Sequence, residues 1–205
     1  MCGRYIIQTE EENFEMRKII NQINERFKEN SVQMKTGEIF PTNIVPIITS
    51  DFNNNKTPCL SKWGFPKFNQ KSGVIINARS ETLEEKPTFK KLVHQGRCLV
   101  PASGFFEWKP LANKKEKHII KTSKQNFFYM AGLCKSVIDK DGSSFLNFVI
   151  ITTEANKEMS KIHNRMPVIL DLSEVDSWIN SNIGFNKLKG VLCPYKGLLD
   201  IEKAS

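Results

Sequence analysis

Arg97-Cys98-Leu99-Val100-Pro101-Ala102-Ser103-Gly104-Phe105-Phe106-Glu107-Trp108 decides the fold class of this chain. Two short apolar runs, Arg97–Val100 and Gly104–Trp108, are rich in β-branched and aromatic residues and are separated by small turn formers, which is the pattern of consecutive strands. Further runs of the same kind follow at His118–Lys121, Phe127–Val137 and Phe145–Thr152, with turns at Asn113-Lys114, Ser123-Lys124 and Asp141-Gly142. Strand alternation puts Phe105 and Glu107 on one face and Phe106 and Trp108 on the other. A carboxylate among such bulk is either ion-paired with an arginine or placed for acid–base work.

Working outward, Thr9-Glu10-Glu11-Glu12 reads as a capping box, and Met16, Ile19, Ile20, Ile23 and Phe27 continue a helix to about Asn30. Ile47–Thr49 and Gly73–Asn77 read as strands, with Asp51–Lys56 a polar hairpin tip. Short helices are expected at Glu81–Glu85 and Thr88–His94, a further one at Glu154–Lys161 capped by Thr153, and a last one to Ser181 capped by Ser173. Met166–Leu170 reads as one strand. The expectation is an α+β fold: a single compact domain over 1–197, a mostly antiparallel, barrel-like β-core with flanking helices, and a loose tail over 198–205. No βαβ alternation and no Gly-rich phosphate loop is present, which disfavours a nucleotide-binding fold.

The 205 residues are long enough to bury a core without staples. No stretch reaches the length of a membrane span, and no secretory signal is expected from the opening residues. The five cysteines (Cys2, Cys59, Cys98, Cys134, Cys193) are scattered and include no C-x-x-C, so neither a disulfide framework nor a metal site is expected, and no cofactor is called for. A reducing cytoplasm is the expected compartment, at the nucleoid if the source is bacterial. The net charge of +8 favours an anionic partner such as nucleic acid. Only six arginines stand beside 24 lysines, and four of the six (Arg4, Arg79, Arg97, Arg165) lie in motif-like segments, which makes them site candidates.

The opening Met1-Cys2-Gly3-Arg4-Tyr5 carries its own chemistry. Loss of Met1 would leave an α-amine and a thiol on one residue. These titrate near pH ~7.7–8.0 and ~8.5 in unperturbed form. Such a 1,2-aminothiol condenses with an aldehyde to an imine, and the sulfur then closes a thiazolidine ring, a step that gains roughly 10⁵ M or more in effective molarity when well oriented. A small apolar residue packed at the terminus is the plainer alternative. Asn77-Ala78-Arg79-Ser80-Glu81-Thr82 and Ile162-His163-Asn164-Arg165-Met166-Pro167 also set polar groups against apolar strands. Asn77 is compatible with a turn role and His163 with a structural one. His94 and His118 lie in Lys-rich surroundings expected to be exposed. Trp63 and Trp108 are candidates for base stacking or for core.

Together the segments Met-Cys-Gly-Arg-Tyr (1–5), Pro-Thr-Asn-Ile-Val-Pro (41–46), Trp-Gly-Phe-Pro (63–66), Asn-Ala-Arg-Ser-Glu-Thr (77–82), Arg97–Trp108, Ile-Thr-Thr-Glu-Ala-Asn (151–156) and His-Asn-Arg-Met-Pro-Val-Ile-Leu (163–170) resemble the SOS response-associated peptidase (SRAP) family of abasic-site-processing proteins. The resemblance implies a β-rich α+β fold with a basic groove for single-stranded DNA containing abasic sites. It further implies a covalent DNA–protein crosslink through Cys2, self-removal of Met1, and a possible lyase side activity. By motif, Cys2 would be the nucleophile, Asn77 its orienting group, and Glu107 and His163 the acid–base pair. Arg4, Arg79 and Arg165 would hold phosphates, with Trp63, Trp108, Pro41 and Asn43 along the DNA path. Phe65 departs from the family's smaller residue. A monomer is expected, with weak sequence preference and binding that weakens with salt. Two rivals are an N-terminal-nucleophile glutamine amidohydrolase, which also opens Met-Cys-Gly, and a non-catalytic DNA-binding module. A cysteine protease acting on other proteins fits less well.

Overall fold

Ser103 divides the run from Arg97 to Pro110 between two sheets. The computed structural model describes residues 2–9, 13–28, 33–51, 53–67, 73–138 and 142–204. In chain order the strands are β1 (Arg4–Ile7), β2 (Gly37–Ile39), β3 (Ile44–Ser50), β4 (Lys56–Trp63), β5 (Phe65–Pro66), β6 (Val74–Ile75), β7 (Asn77–Arg79) and β8 (Arg97–Ala102). They continue as β9 (Gly104–Pro110), β10 (Lys115–Thr122), β11 (Phe128–Ile138), β12 (Ser144–Glu154), β13 (Arg165–Pro167), β14 (Ile169–Leu170) and β15 (Leu199–Lys203). The helices are α1 (Phe14–Arg26), α2 (Pro87–Lys90), α3 (Leu92–Gln95) and α4 (Leu172–Ile179).

One sheet runs β15-β10-β9-β1-β2 and is antiparallel throughout. In the other, β12, β4, β3, β8 and β11 follow one another, and β11 pairs back onto β12, closing a five-strand ring. Closure removes the free edges that a flat sheet would expose. The expected α+β, mostly antiparallel, barrel-like core is therefore present. β8 is buried at every position, as a strand covered on both faces must be. At the corner the Ser103 N–H donates to Ile6 O (2.8 Å), and Ser103 Oγ accepts from the Gln8 N–H (3.0 Å). A Cβ on Gly104 would stand 3.1 Å from Ile120 O, a tight approach to backbone that favours glycine there.

Several boundaries differ from the sequence reading. Asn13 caps α1 by accepting from the Met16 N–H (3.2 Å), which displaces Thr9; Glu10–Glu12 and Asn30 lie outside the described residues. The expected strand at 73–77 is two strands, with β6 pairing β5 and β7 pairing β12. Thr152 and Thr153 continue β12 to Glu154, and a single 3-10 turn, Met159–Lys161, stands where a helix was expected. Both threonines are β-branched, and Thr153 Oγ1 donates to Leu192 O (3.3 Å) instead of capping. Met166–Leu170 breaks at Val168 into β13 and β14, and α4 is capped by Asp171, not Ser173. The expected loose tail is strand β15, paired with β10 from Leu199↔Thr122 to Lys203↔His118. Among the described residues no helix is long and apolar enough to cross a membrane.

Arg97, expected as a site candidate, is a core staple. Its guanidinium is buried and donates to Val93 O (2.6 Å), Trp178 O (2.5 Å), Asn180 O (2.6 Å) and Ile183 O (3.0 Å), tying α4 and the chain after it to β8.

Candidate active site and nucleic-acid surface

β12 is the ruler of the site. On one side it pairs β7 in parallel, with Ile150↔Asn77 and Thr152↔Arg79; on the other it pairs β13, with Thr152↔Pro167 and Glu154↔Arg165. Directly paired residues share a face and alternate residues point oppositely. Ala78, Ile151 and Met166 therefore fill the core, each buried, while Asn77, Arg79, Glu154 and Arg165 share the opposite face. There Arg79, Glu154, Ser160, His163, Asn164 and Arg165 border an open cleft of 640 Å³. Three of the expected site residues, Arg79, His163 and Arg165, thus meet in one cleft.

Asn77 joins this cleft to Cys2. Its Nδ2–H donates to Cys2 O (2.9 Å), while its Oδ1 is buried with no hydrogen-bond partner among the described residues. The Cys2 thiol itself has no exposed surface and lies 3.7 Å from Arg4 O, to which it donates. Burial pushes the thiol well above its ordinary value, and the negative charge of Glu107 pushes it further. The unperturbed titration read from the sequence is thus not that of the buried thiol. Glu107 is 2% exposed on the inward face that it shares with Phe105, as the alternation required.

The imidazole of His163 is fixed by its own chain: Nδ1 accepts from the Arg165 N–H (3.0 Å), which leaves the proton on Nε2 in the neutral ring. His118, expected at the surface, is buried opposite Glu107 in the β9–β10 register, and its Nδ1 lies 3.1 Å from Glu116 O.

The arginines divide by environment. Arg79 is exposed and opens onto the cleft. Arg165, expected on a phosphate, borders the cleft but is engaged by protein groups. Its Nη1 and Nη2 grip Glu81 (2.6 and 3.0 Å), Nη2 also donates to Thr152 O (2.7 Å), and Nε is buried with no partner among the described residues. Arg4 donates to Glu38 (3.0 Å), with its guanidinium 4.2 Å from the Phe40 ring centroid and 5.1 Å from that of Trp108. Lys117 also bonds Glu38 (3.1 Å) and caps the Phe106 ring at 4.3 Å. The outward face of β2-β1-β9-β10 is thus an aromatic and basic surface that includes part-exposed Trp108.

Trp63 does not belong to that surface. It is wholly buried, stacked on Phe148 (6.3 Å, 14°) with Tyr5 against its edge (5.2 Å), and its Nε1–H donates to Ile76 O (3.0 Å). A buried indole cannot stack on a base, so the expected contact with DNA is overturned in favour of core. Its backbone holds the turn carrying Pro41 and Asn43: Thr42 N–H donates to Trp63 O (2.8 Å) and Trp63 N–H to Asn43 O (3.0 Å). Asn43 Oδ1 accepts from the Phe40 N–H (2.9 Å), and Thr42 takes φ +73° to make the turn. Phe65 is likewise core, with the Lys135 ammonium 4.7 Å over its ring. Sequence reasoning gave no role to Glu38, Glu81 or Lys117. Only pairing partners far along the chain reveal them.

The chain is 36% identical over 202 residues to the abasic site processing protein YoqW of Bacillus subtilis (strain 168), covering 95% of this chain and 88% of that protein. It is 33% identical to YobE of the same strain, also named an abasic site processing protein, covering 95% and 90%. A solved structure from Bacteroides thetaiotaomicron, 24% identical, superposes with a TM-score of 0.82 over 100% of this chain and 92% of that one, which shows a shared fold. Residues 1–204 match the family described as SOS response associated peptidase, and with relatives this similar over nearly its whole length, the chain belongs to that family.

Proposed function

We propose that this protein processes abasic sites in single-stranded DNA by capturing them covalently on Cys2 after Met1 is removed, by the protein itself. The observation that carries the reading is the 2.9 Å bond from Asn77 Nδ2 to Cys2 O, which moors the terminus to the strand bearing Arg79 while the charge of buried Glu107 reaches the thiol. The names of YoqW and YobE support abasic-site processing in general.

The sugar of an abasic site is mostly a closed hemiacetal and opens to a C1 aldehyde before it reacts. The freed α-amine adds to C1, and loss of water gives the imine. Cys2 Sγ then adds to the same carbon, its proton passes by way of Glu107, and the ring nitrogen takes up one proton, so water is the only species released. Glu107 and the Nε2–H of His163 serve the proton transfers, each such positioned transfer contributing ~10²–10⁴-fold. An imine that the sulfur fails to trap remains open to β-elimination, the origin of a lyase side reaction. Arg79 holds phosphate, and the Arg4–Trp108–Phe40 surface supports unstacked bases in a way that reads no sequence. The protein acts as a monomer.

The test is a denaturing gel of the protein mixed with a single-stranded oligonucleotide carrying one abasic site. A heat-resistant shifted band is expected, absent in Cys2→Ala and Cys2→Ser. A band of wild-type strength in both variants would defeat the reading.

A further inference from the structure

Glu81 stands two residues after the strand that moors Cys2, and its carboxylate is ion-paired with Arg165, two residues beyond His163. The two lie on opposite sides of β12: β7 leads into Ser80–Thr82 on one flank, and β13 begins at Arg165 on the other. The Glu81 carboxylate grips the Arg165 guanidinium with both oxygens, at 2.6 and 3.0 Å, and the same guanidinium donates to Thr152 O at 2.7 Å between them. Glu81, Arg165 and Thr152 thus form a rigid brace over β12. A bidentate pair fixes orientation as well as distance. At one end of the brace, two and four residues back from Glu81, stand Arg79 and Asn77. At the other end, the Arg165 N–H fixes the tautomer of His163.

We propose that Glu81 is a positioning residue which, acting through Arg165, sets the separation between Asn77-held Cys2 and the His163 imidazole. The proposal rests on the covalent-capture reading above. It differs from a charge-shielding role, in which Glu81 merely neutralises Arg165. Shielding alone requires that removing the carboxylate tighten DNA binding and leave the covalent step intact. Positioning requires that the covalent step slow at saturating DNA, because a displacement of about 1 Å in a reacting group can lower a rate by roughly 10²-fold.

The experiment compares Glu81→Gln and Glu81→Asp with the wild type. The probe is an abasic single-stranded oligonucleotide at saturation, with affinity for the intact strand read separately by fluorescence anisotropy. The ¹⁵N imidazole shifts of His163 are recorded in the same proteins. In Glu81→Gln the maximal crosslinking rate is expected to fall roughly tenfold or more, with affinity unchanged or tighter, and His163 to lose its pure Nε2–H signature. Glu81→Asp, which keeps the charge on a shorter arm, is expected between the two, and it provides the reading should Glu81→Gln fail to fold. Wild-type maximal rates with an unchanged His163 signature, or a defect confined to affinity, overturn the proposal. If the wild type itself forms no crosslink, the functional reading falls, and the imidazole signature alone decides the brace.

Discussion

Replacing Asn77 with aspartate changes one NH₂ into an oxygen with almost no change in shape, and that oxygen faces Cys2 O at 2.9 Å. Loss of the donated bond leaves the Cys2 carbonyl buried without a donor, which costs about 1–3 kcal/mol. At 1.36 kcal/mol per decade this corresponds to roughly a 5- to 160-fold slower capture. Asn77→Ala removes the same donor together with Oδ1, which has no partner among the described residues, and the space it leaves admits a water to Cys2 O. With water as a substitute donor, only the net worth of one hydrogen bond, about 0.5–1.5 kcal/mol, is lost, and a loss of roughly 2- to 12-fold is expected. The two variants also differ in pH dependence. Once protonated, the introduced carboxyl donates as the amide did, so the Asn77→Asp variant recovers as pH falls, relative to wild type at each pH, and the Asn77→Ala variant does not. The assay is single-turnover crosslinking of an abasic oligonucleotide at pH values from about 5 to about 8, the range into which burial raises a carboxyl. An Asn77→Asp variant as fast as wild type at neutral pH, or one with the same relative pH profile as Asn77→Ala, would refute the mooring role.

Arg97→Met should destabilise the fold by about 3 kcal/mol or more, because hydrogen bonds to a charged group contribute about 1.5–3 kcal/mol each and four carbonyls lose their donor; chemical denaturation reads this, and a loss under about 1 kcal/mol would mean that the staple is idle. A second expectation concerns acid. Burial pulls the Glu38 carboxyl upward, but the bonds from Lys117 and Arg4 outweigh it and hold it below the ordinary carboxylate range; the bonds from Arg165 hold Glu81 down likewise. Because the unfolded chain takes up these protons at higher pH than the folded one, their stabilisation is complete above the unfolded value of ~4.3 and is lost as pH falls through the lower folded values. Thermal melts from about pH 7 to about pH 3 should therefore show Tm falling below about pH 5, less steeply in Glu38→Gln; identical slopes in the two proteins would contradict the assignment.

What the sequence disclosed and what it hid follow the range of the interactions concerned. The alternation of Phe105–Trp108 is a local property, and it places Glu107 inward as observed. The strands from Arg97 onward are legible because each carries its own β-branched and aromatic residues. The 199–203 strand has the same alternation, Leu199 and Ile201 between polar neighbours, but its place at the chain end masks it until β10 supplies a partner. Thr153 followed by Glu154 has the local signature of a helix start, and pairing with β13 overrides it. Trp63 and Arg97 are the instructive failures. An indole is suited equally to a base or to a core, and a guanidinium to a phosphate or to carbonyls. Residues remote in sequence, Phe148 and Tyr5 for one and Trp178, Asn180 and Ile183 for the other, settle the choice.

The burial of the Cys2 thiol orders the proposed chemistry. A sulfur with no exposed surface, raised by burial and by the charge of Glu107, is a poor first nucleophile in the chain that still bears Met1. In that form the amine is tied up in a peptide bond, so the reactive pair is withheld on both counts. Release of the amine creates the group that attacks first. The sulfur is then needed only against an imine carbon on the same residue's nitrogen, where proximity compensates for a low thiolate fraction. In the proposed capture, Glu107, whose charge disfavours the free thiolate, would take the thiol proton as the C–S bond forms. One carboxylate thus opposes premature ionisation and assists ring closure. For that reason Glu107→Gln should not act as a simple loss of charge: it leaves the thiol easier to ionise yet removes the base that the closing step uses.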